Sequence, residues 1–549
     1  MSSPPLPRVA LALFALAVPA AAQCPLEKLV PDDGVLNARH GWSVDVDGAI
    51  SAAGAYADPN GGIAVGAAYV YGETGGVWSL EQKLAPSDPD NGDGFGRSVS
   101  VSGTTVLVGA GDQDVGTASG QGSAYVFVRT LLFGNPVWTQ QAKLVASDGA
   151  ELDRFGTASD LDGDLTAVGA YSHGSDGAVY VFSRTGSNWT QEARLTQTDG
   201  TTDDWLGWSV AIDGNRLVAG APFHHASWQG AAYVYQRGSL FGQPVWFFVQ
   251  KLQPPTPESG DRFGWSVDIQ GNRVAVGSIE DPFADPGKVY VFEDDGAGYD
   301  FIDVIDSPNP LSGGHFGASV ALDGDRLLVG EHAEQAGGVL DVGTAYLFEP
   351  FPIFGSTIWI DTASFEALDE ASDDGYGRAV GLSGDTAMVG APFDDDWGTS
   401  SGGAWLFSVS GSGCPALLTE PPFVRVATGG DQEFRLDAGP AHAGALYLIL
   451  GSASGTSPGT PAIPPPLVWP LNFDPYFNYL LSNPNTLPFD VSFGTLDAGG
   501  RASATFTVVQ GLSPSAVGVE LHHAFGVLEV VPSLSIPFIS NPDSVTLVP

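Results

Sequence analysis

Apolar and polar residues alternate in short runs along most of the chain, and glycine- or aspartate-rich turns separate the runs. From residue 40 to residue 408 the same arrangement recurs seven times. Runs of five or six residues with a period of two predict β-strands rather than helices. The seven copies open with HGWSVDVDG from His40, FGRSVSVSG from Phe95, FGTASDLDG from Phe155, LGWSVAIDG from Leu206, FGWSVDIQG from Phe263, FGASVALDG from Phe316 and YGRAVGLSG from Tyr376.

Three glycines keep fixed places in every copy. The first of them, from Gly41 to Gly377, recurs with a mean period of 56 residues, and the other two follow seven and thirteen residues later. The middle glycine comes after Asp, Ser or Gln, and such a pair between apolar runs predicts a two-residue hairpin turn. Strands a and b of each copy therefore form a tight hairpin in which this glycine supplies a positive φ.

Two further strands complete the repeat. A third strand, c, follows in each copy, such as AAYVY from Ala67, and in six copies a fourth, d, begins with an aromatic residue. Four strands in about this length are typical of a propeller blade, so the predicted fold class is all-β, a seven-bladed β-propeller. We expect the aromatic residues to pack within the blades: Trp78, Trp138, Trp189, Trp246, Tyr299 and Trp359.

The seventh copy has no fourth strand, because its pattern stops after Phe407. Residues 25–30, PLEKLV, resemble the fourth strands of the other copies, so this segment is predicted to complete blade 7 and close the ring. Cys24 and Cys414 are the two cysteines of the chain and would stand on either side of the resulting gap. In an oxidising compartment they are expected to form a disulfide.

The pattern F-G-x-S-V, D-G and V-G-A-P resembles the FG-GAP repeats of the integrin alpha-chain propeller and of bacterial secreted proteins with short repeats. The resemblance covers roughly residues 26–408. Calcium-binding members of that family carry a D-x-D-x-D-G-x-x-D loop, whereas the fixed interval here leaves only a turn such as Asp162-Gly163 or Asp323-Gly324. We therefore expect no integrin-type calcium site and no cofactor, with weak calcium binding at most.

The chain outside the repeats predicts export and a second domain. Residues 1–22 have the features of a signal peptide: Arg8, an apolar stretch and a small-residue cleavage site. We assign residues 23–414 to the propeller and residues 415–549 to a small β-sandwich-like domain. We expect a secreted or cell-surface protein without a membrane span.

The charge balance limits the classes of partner. With 21 basic and 63 acidic residues, the formal net charge of −42 disfavours nucleic acid and anionic membranes. The b-to-c and d-to-a loops vary in length and emerge on one face, where variable loops on a rigid scaffold commonly bind ligands. The candidate binding residues are the acidic side chains of that face: Asp112, Asp114, Asp203, Asp204, Asp281, Asp285, Asp373, Asp374, Asp394, Asp395 and Asp396.

The opposite face carries longer, apolar c-to-d hairpins in every second blade. Their tips are predicted at Phe133, Phe241 and Phe354. Exposed apolar tips suggest docking, and the C-terminal domain of the same chain is the expected partner.

The sequence favours a non-catalytic binding or adhesion propeller that recognises an extracellular protein or glycan. One alternative is an extracellular hydrolase or lyase that uses acidic loop residues, which a cluster of three carboxylates in one deep pocket would favour. Another is a structural surface or matrix component.

Overall fold

The structure is a computed structural model. In the repeat region it describes residues 21–23, 25–31, 36–59, 63–225, 227–279, 286–308, 314–332, 343–353, 356–367, 374–395 and 399–409. After residue 409 it describes strands alone. Every regular element in these ranges is a β-strand, and no helix in them is long and apolar enough to cross a bilayer.

Seven antiparallel sheets make up the repeat region, with strand order a-b-c-d from the centre outwards. β1 (Ala21–Gln23) and β2 (Pro25–Leu29) precede the repeats. Blade 1 contains β3 (Ser43–Asp47), β4 (Ile50–Ala55), β5 (Ala67–Thr74) and β6 (Val77–Leu84); blade 2 contains β7 (Phe95–Ser102), β8 (Thr105–Ala110), β9 (Ser123–Leu132) and β10 (Asn135–Leu144). Blade 3 contains β11 (Ser159–Asp162), β12 (Leu165–Ala170), β13 (Ala178–Thr185) and β14 (Asn188–Leu195); blade 4 contains β15 (Ser209–Asp213), β16 (Arg216–Ala221), β17 (Ala231–Leu240) and β18 (Gln243–Leu252); blade 5 contains β19 (Ser266–Gln270), β20 (Arg273–Ser278), β21 (Lys288–Asp294) and β22 (Tyr299–Asp306). Blade 6 contains β23 (Phe316–Asp323), β24 (Arg326–Glu331), β25 (Thr344–Ile353) and β26 (Ser356–Phe365), and blade 7 contains β27 (Ala379–Ser383), β28 (Thr386–Ala391) and β29 (Gly403–Ser408). The predicted seven-bladed all-β propeller is confirmed.

The N-terminal strand completes blade 7. β2 pairs antiparallel with β29, with Pro25 opposite Phe407 and Leu29 opposite Ala404. β1 pairs in parallel with β26 of blade 6. The predicted disulfide partners, Cys24 and Cys414, lie outside the described residues.

The inner hairpins turn one position later than the sequence suggested. In blade 3 Asp162 pairs with Leu165, so the two turn residues are Gly163 and Asp164 rather than Asp162 and Gly163. Gly163 has a φ of +57° and is the first residue of the turn, which is the arrangement of a type II′ turn. Asp162 therefore belongs to the strand, and its side chain is free to bond elsewhere.

The hydrophobic core consists of layers between adjacent blades. Buried clusters link blades 1 and 2, 2 and 3, 3 and 4, 4 and 5, 5 and 6, 6 and 7, and 7 and 1. The aromatic residue that opens a copy packs edge-on against strand c of its own blade; Phe95, for example, lies 5.5 Å from Tyr125 between ring centroids. As predicted, the aromatic residues of strand d pack into these layers, and Trp138 is 2% exposed.

The first and third fixed positions of the repeat require glycine because neighbouring blades touch there through their backbones. A Cβ on Gly54 would lie 2.0 Å from the carbonyl oxygen of Gly96 in the next blade, and a Cβ on Gly96 would lie 2.1 Å from the carbonyl oxygen of Ala67. The same collision recurs around the ring and ends with Gly390 against Gly41. We call this contact the glycine seam; no side chain fits in it.

Beyond residue 409 the strands belong to separate sheets. One has the order β30 (Ala416–Glu420), β32 (Gly430–Asp437), β38 (Arg501–Val508) and β36 (Phe489–Asp490). The other contains β31 (Phe423–Arg425), β41 (Asp543–Val548), β39 (Glu520–Val530), β33 (Leu446–Ser452), β37 (Phe493–Thr495) and β40 (Leu534–Ile539), and β34 (Thr460–Pro461) pairs with β35 (Val468–Trp469). The sandwich remains a prediction.

Candidate ligand-binding surface

The b-to-c and d-to-a loops meet at one end of the ring, which we call the loop face. In the antiparallel order a-b-c-d, strands b and d end where strands a and c begin. Contacts between the loops follow: the Phe155 amide donates to the carbonyl oxygen of Gln121 at 2.9 Å, and the Leu152 amide donates to that of Ser119. The a-to-b turns and c-to-d hairpins lie at the other end, the turn face.

Many acidic residues of the loop face are structural rather than free for a ligand. Four of them accept the backbone N–H of the residue three positions earlier, at 2.6–2.7 Å, and are buried. Such side-chain bonds to the local backbone fix the shape of a loop. They close the d-to-a loops before blades 2, 3, 4 and 5: Asp93, Asp153, Asp204 and Asp261.

Three of the predicted binding residues lie in the interior. Asp204 is 0% exposed and also accepts hydrogen bonds from Gln197 and Thr201, with His224 Nδ1 at 2.7 Å. Asp394 is 2% exposed and forms an ion pair at 2.8 Å with Lys28 of the closing strand, and Asp374 is likewise buried. A buried carboxylate is poorly placed to meet a ligand; binding at the acidic residues of the loop face stays a prediction.

The other predicted acidic residues are distributed without convergence. Asp112 is half-buried beside Arg97, at 3.7 Å, and Arg154. Asp114 accepts the Gly120 amide at 2.8 Å, and Asp203 and Asp395 are exposed. In the described part of the chain, no three acidic, histidine or cysteine side chains are placed to hold a metal ion. Asp281, Asp285, Asp373 and Asp396 lie outside the described residues.

A ring of seven half-buried side chains surrounds the axis at the loop face, one from each blade. Each is the residue that directly follows the first fixed glycine, at the start of strand a. Contacts across blade boundaries show that its members are neighbours; Trp208 and Trp265, for example, lie 4.9 Å apart between ring centroids. We call it the rim: Trp42, Arg97, Thr157, Trp208, Trp265, Ala318 and Arg378.

On one side of the rim, blades 3, 4 and 5 assemble an aromatic surface. Trp205 and Trp208 stack at 5.4 Å with an angle of 25° between their planes, and Phe223 meets Trp205 edge-on at 4.4 Å. The Arg262 guanidinium lies 5.8 Å from Phe223 and 5.9 Å from Trp228, which is 52% exposed. We call this set the tryptophan cluster: Tyr171, Trp205, Trp208, Phe223, Trp228, Trp265 and Arg262.

On the other side, blades 7, 1 and 2 place three guanidinium groups around shared rings. Arg378 lies 3.8 Å from the Trp42 ring centroid. Arg97 lies 5.9 Å from Trp42 and 5.4 Å from Tyr56. Arg39 lies 5.2 Å from Tyr56 and 5.5 Å from Phe393. We call this set the arginine cluster: Arg39, Arg97, Arg378, Trp42, Tyr56 and Phe393.

Behind the rim, the inner strands enclose an axial channel of about 460 Å³. Asp45, Asp160 and Asp268 line it at equivalent positions of blades 1, 3 and 5. One oxygen of each carboxylate accepts an amide of the next blade at 2.6–2.7 Å, and the other accepts the amide of the following residue.

These channel carboxyl groups hold their protons more tightly than usual. Burial is the main cause and raises the pKa of Asp45 to about 8 and that of Asp268 to about 7. The charge of Asp160 adds to the effect in both cases, while the backbone hydrogen bonds oppose it. Burial likewise raises the pKa of Asp160.

At the turn face a second set of polar side chains ties neighbouring blades together. Each accepts the backbone N–H of the middle fixed glycine of the next blade, as when Asp47 accepts from Gly103 at 2.7 Å. The bond occurs at all seven boundaries, and its acceptors are Asp47, Ser102, Asp162, Asp213, Gln270, Asp323 and Ser383. These carboxylates thus have a structural role.

The hairpin tips project from the turn face. Phe133 is 96% exposed and Phe241 is 97% exposed, each beside an exposed leucine. The third predicted tip, Phe354, lies outside the described residues. Docking of the C-terminal domain on these tips stays a prediction.

Sequence reasoning missed the rim because it searched for acidic side chains in long loops. A signal was available, since the residue after the first fixed glycine varies freely, as W, R, T, W, W, A and R, between residues that hardly vary. Such variation marks a position that the scaffold does not need.

Comparison with known proteins agrees with the repeat assignment. The profile of the FG-GAP repeat family matches residues 26–71, 78–127, 138–182, 189–235, 246–292, 307–348 and 359–407. No curated protein matches the chain.

Three solved structures show low similarity to the chain. A 6-phosphogluconolactonase candidate from Bacteroides uniformis has 12% identity and a TM-score of 0.40, covering 60% of this chain and 85% of its own. The periplasmic gluconolactonase of Pseudomonas aeruginosa has 16% identity and a TM-score of 0.38, covering 63% and 93%. A hypothetical selenium-binding protein from Sulfolobus tokodaii has 9% identity and a TM-score of 0.36, covering 58% and 77%. Similarity at this level carries no argument about function.

Proposed function

The chain belongs to the FG-GAP repeat family, and from that premise we propose that it is a secreted or cell-surface binding protein without catalytic activity. Its ligand is an extracellular protein or glycan, and the loop face is the binding surface. The tryptophan cluster carries this proposal. Trp228 exposes half of its surface beside Phe223 and Arg262, and tryptophan, tyrosine and arginine are the residues that dominate the energetics of binding sites.

The scaffold beneath the cluster supports binding without rearrangement. Trp208 and Trp265 follow glycines of the seam, and Trp205 and Trp228 have φ values of +62° and +56°. A backbone that is fixed before the ligand arrives reduces the entropy that binding costs. Aromatic faces with few rotatable bonds suit the flat surfaces of sugars and the side chains of proteins.

The channel favours a second function, extracellular hydrolysis or elimination. Three carboxyl groups with raised pKa values in one channel are a feature of catalytic sites. However, both oxygens of each group already accept backbone amides. A proton transfer would disturb the contact between blades, so we place binding first.

The test is a binding screen of the full chain on arrays of glycans and extracellular proteins. Trp228→Ala should lower the affinity for the ligand found in the screen by about tenfold or more, as expected for a central aromatic side chain. Phe241→Ala removes a more exposed aromatic side chain from the turn face; it is the control and should leave binding of the ligand unchanged. Equal loss in both variants, or no ligand at all, would contradict the proposal, and turnover abolished by Asp160→Asn would favour the hydrolase.

A further inference from the structure

The arginine cluster is a concentration of positive charge in a strongly acidic protein. The chain has three acidic residues for each basic one, and several of its other cations pair closely with carboxylates, as Arg129 does with Glu81 and Arg237 with Glu192. Among the described residues Arg39 has no carboxylate partner, and Arg97 has Asp112 at 3.7 Å, which it shares with Arg154. Arg39 and Arg97 therefore carry more positive charge than the carboxylates described around them.

Burial and mutual proximity disfavour the charged form of guanidinium groups in this cluster. Burial, and then the charge of Arg97, lowers the pKa of Arg39, and burial lowers that of Arg97. Aromatic faces compensate in part, because each guanidinium lies over at least one ring. An anion that contacted several of the three would stabilise the arrangement further.

The way in which the guanidinium groups of Arg39 and Arg97 pack leaves N–H donors available. A guanidinium that stacks on a ring uses its face and keeps its N–H edge, and that edge matches a carboxylate with two parallel hydrogen bonds. The backbone fixes all three positions. Arg97 and Arg378 follow glycines of the seam, and Arg39 is held at a φ of +60°.

We propose that the arginine cluster binds the carboxylate of an acidic sugar, in an oligosaccharide that lies across the rim. This inference rests on the proposed function and gives its ligand a chemical class. Carboxylate recognition on one side of the rim and ring faces of Trp208 and Trp265 on the other suit a chain of sugar rings with carboxylates at intervals. An acidic peptide offers carboxylates on flexible stems without such rings. The net charge of −42 disfavours a dense polyanion.

The experiment measures binding of the full chain to an oligosaccharide of alternating uronate and neutral sugars. A neutral oligosaccharide of equal length and an oligoglutamate peptide are the other two probes. The test variant is Arg39→Gln/Arg97→Gln/Arg378→Gln. Its control, Arg216→Gln/Arg273→Gln/Arg326→Gln, removes the same charge from the turn face, where these arginines bond to Asp294, Asp325 and Asp323.

We expect the uronate probe to bind at least about tenfold more tightly than the neutral one, since charged hydrogen bonds are among the stronger ones. The test variant should bind the uronate oligosaccharide about 30-fold or more weakly than the unchanged chain, and the control less than about twofold more weakly. The affinity of the unchanged chain should fall as salt rises from about 50 to 500 mM. If the triple variant does not fold, Arg39→Gln and Arg97→Gln alone should each show a smaller loss.

Equal binding of the uronate and neutral probes would overturn the inference and leave the proposed function standing. Preference for oligoglutamate would overturn the sugar assignment, and equal losses in the two triple variants would overturn the site. Failure of every glycan and protein to bind would overturn the proposed function as well.

Discussion

The arginine cluster and the tryptophan cluster occupy the same positions of the repeat and yet have opposite characters. The residue after the first fixed glycine is Arg97 or Arg378 on one side and Trp208 or Trp265 on the other. Two residues after the third fixed glycine stand Tyr56 on one side and Tyr171 on the other, and three residues after it stand Phe393 and Phe223. The backbone is alike in both, so the difference lies entirely in side chains at positions that the fold leaves free.

Each repeat thus combines a scaffold that is constant from copy to copy with surface side chains that vary. The glycines of the seam cannot change, because the neighbouring backbone already occupies the space of a side chain. The adjacent rim residues, by contrast, differ in type from copy to copy. Diversity next to a fixed backbone is the arrangement by which a repeat scaffold acquires specificity.

The largest effect is expected from substitutions in the glycine seam, which test whether both clusters depend on the same scaffold. Gly54→Ala acts in the blade boundary beneath the arginine cluster, and Gly220→Ala acts beneath the tryptophan cluster. Each added Cβ would lie 2.0 Å from a carbonyl oxygen, so each should lower the free energy of unfolding by about 3 kcal/mol. Urea unfolding of the propeller measures the loss.

The matched controls are Gly48→Ala and Gly214→Ala. These middle glycines have positive φ values but nothing within 4 Å of the added atom, so the cost should be near 1 kcal/mol from backbone strain alone. A seam variant that costs no more than its control would show that the blades adjust. Unequal seam losses would show that the two clusters rest on different scaffolds.

The sequence predicts the scaffold better than the surface. Invariant glycine spacing predicted the number of blades and the inner hairpins, because backbone constraints restrict which residue can stand at those positions. The closing strand was predicted from the resemblance of residues 25–30 to the fourth strands of the other copies. The role of the glycine seam was not predictable, since it depends on contact between residues that lie tens of positions apart in the chain. The same limit applies to the acidic residues: Asp204 and Asp394 occur in loops, but only the folded chain shows that Asp204 bonds to its own loop and that Asp394 pairs with Lys28 of the closing strand.

A smaller effect is expected from removing a carboxylate beside the arginine cluster. Asp112 faces both Arg97 and Arg154, so it competes with an anionic ligand for Arg97. Asp112→Asn should tighten binding of the uronate oligosaccharide about threefold, which is the scale of a partly exposed ion pair. Titration calorimetry measures the change.

Asp203→Asn is the control for this effect. It removes the same charge from an exposed position beside the tryptophan cluster, and it should change uronate affinity by less than about 1.5-fold. Weaker binding in Asp112→Asn would mean that Asp112 positions Arg97 instead of competing for it.

The smallest effect concerns the channel that both clusters surround. Because the pKa of Asp45 is raised to about 8 and that of Asp268 to about 7, these groups are ionised at pH 8.5 and neutral at pH 6. Lowering the pH thus removes negative charge behind the rim while the arginines stay charged. Burial keeps the pKa of His332, which neighbours Arg378, well below this range, so His332 does not contribute.

We expect the affinity for the uronate oligosaccharide to rise about two- to threefold from pH 8.5 to pH 6, and the affinity for the neutral one to stay constant. The sign for stability is the same. A raised pKa means that the folded state binds the proton more tightly than the unfolded state, so stability falls as pH rises from about 4 to 8. Asp45→Asn should reduce both dependences. If the neutral probe showed the same pH response, the channel would act on the rim through structure rather than through charge, and the two clusters would no longer differ in the way proposed.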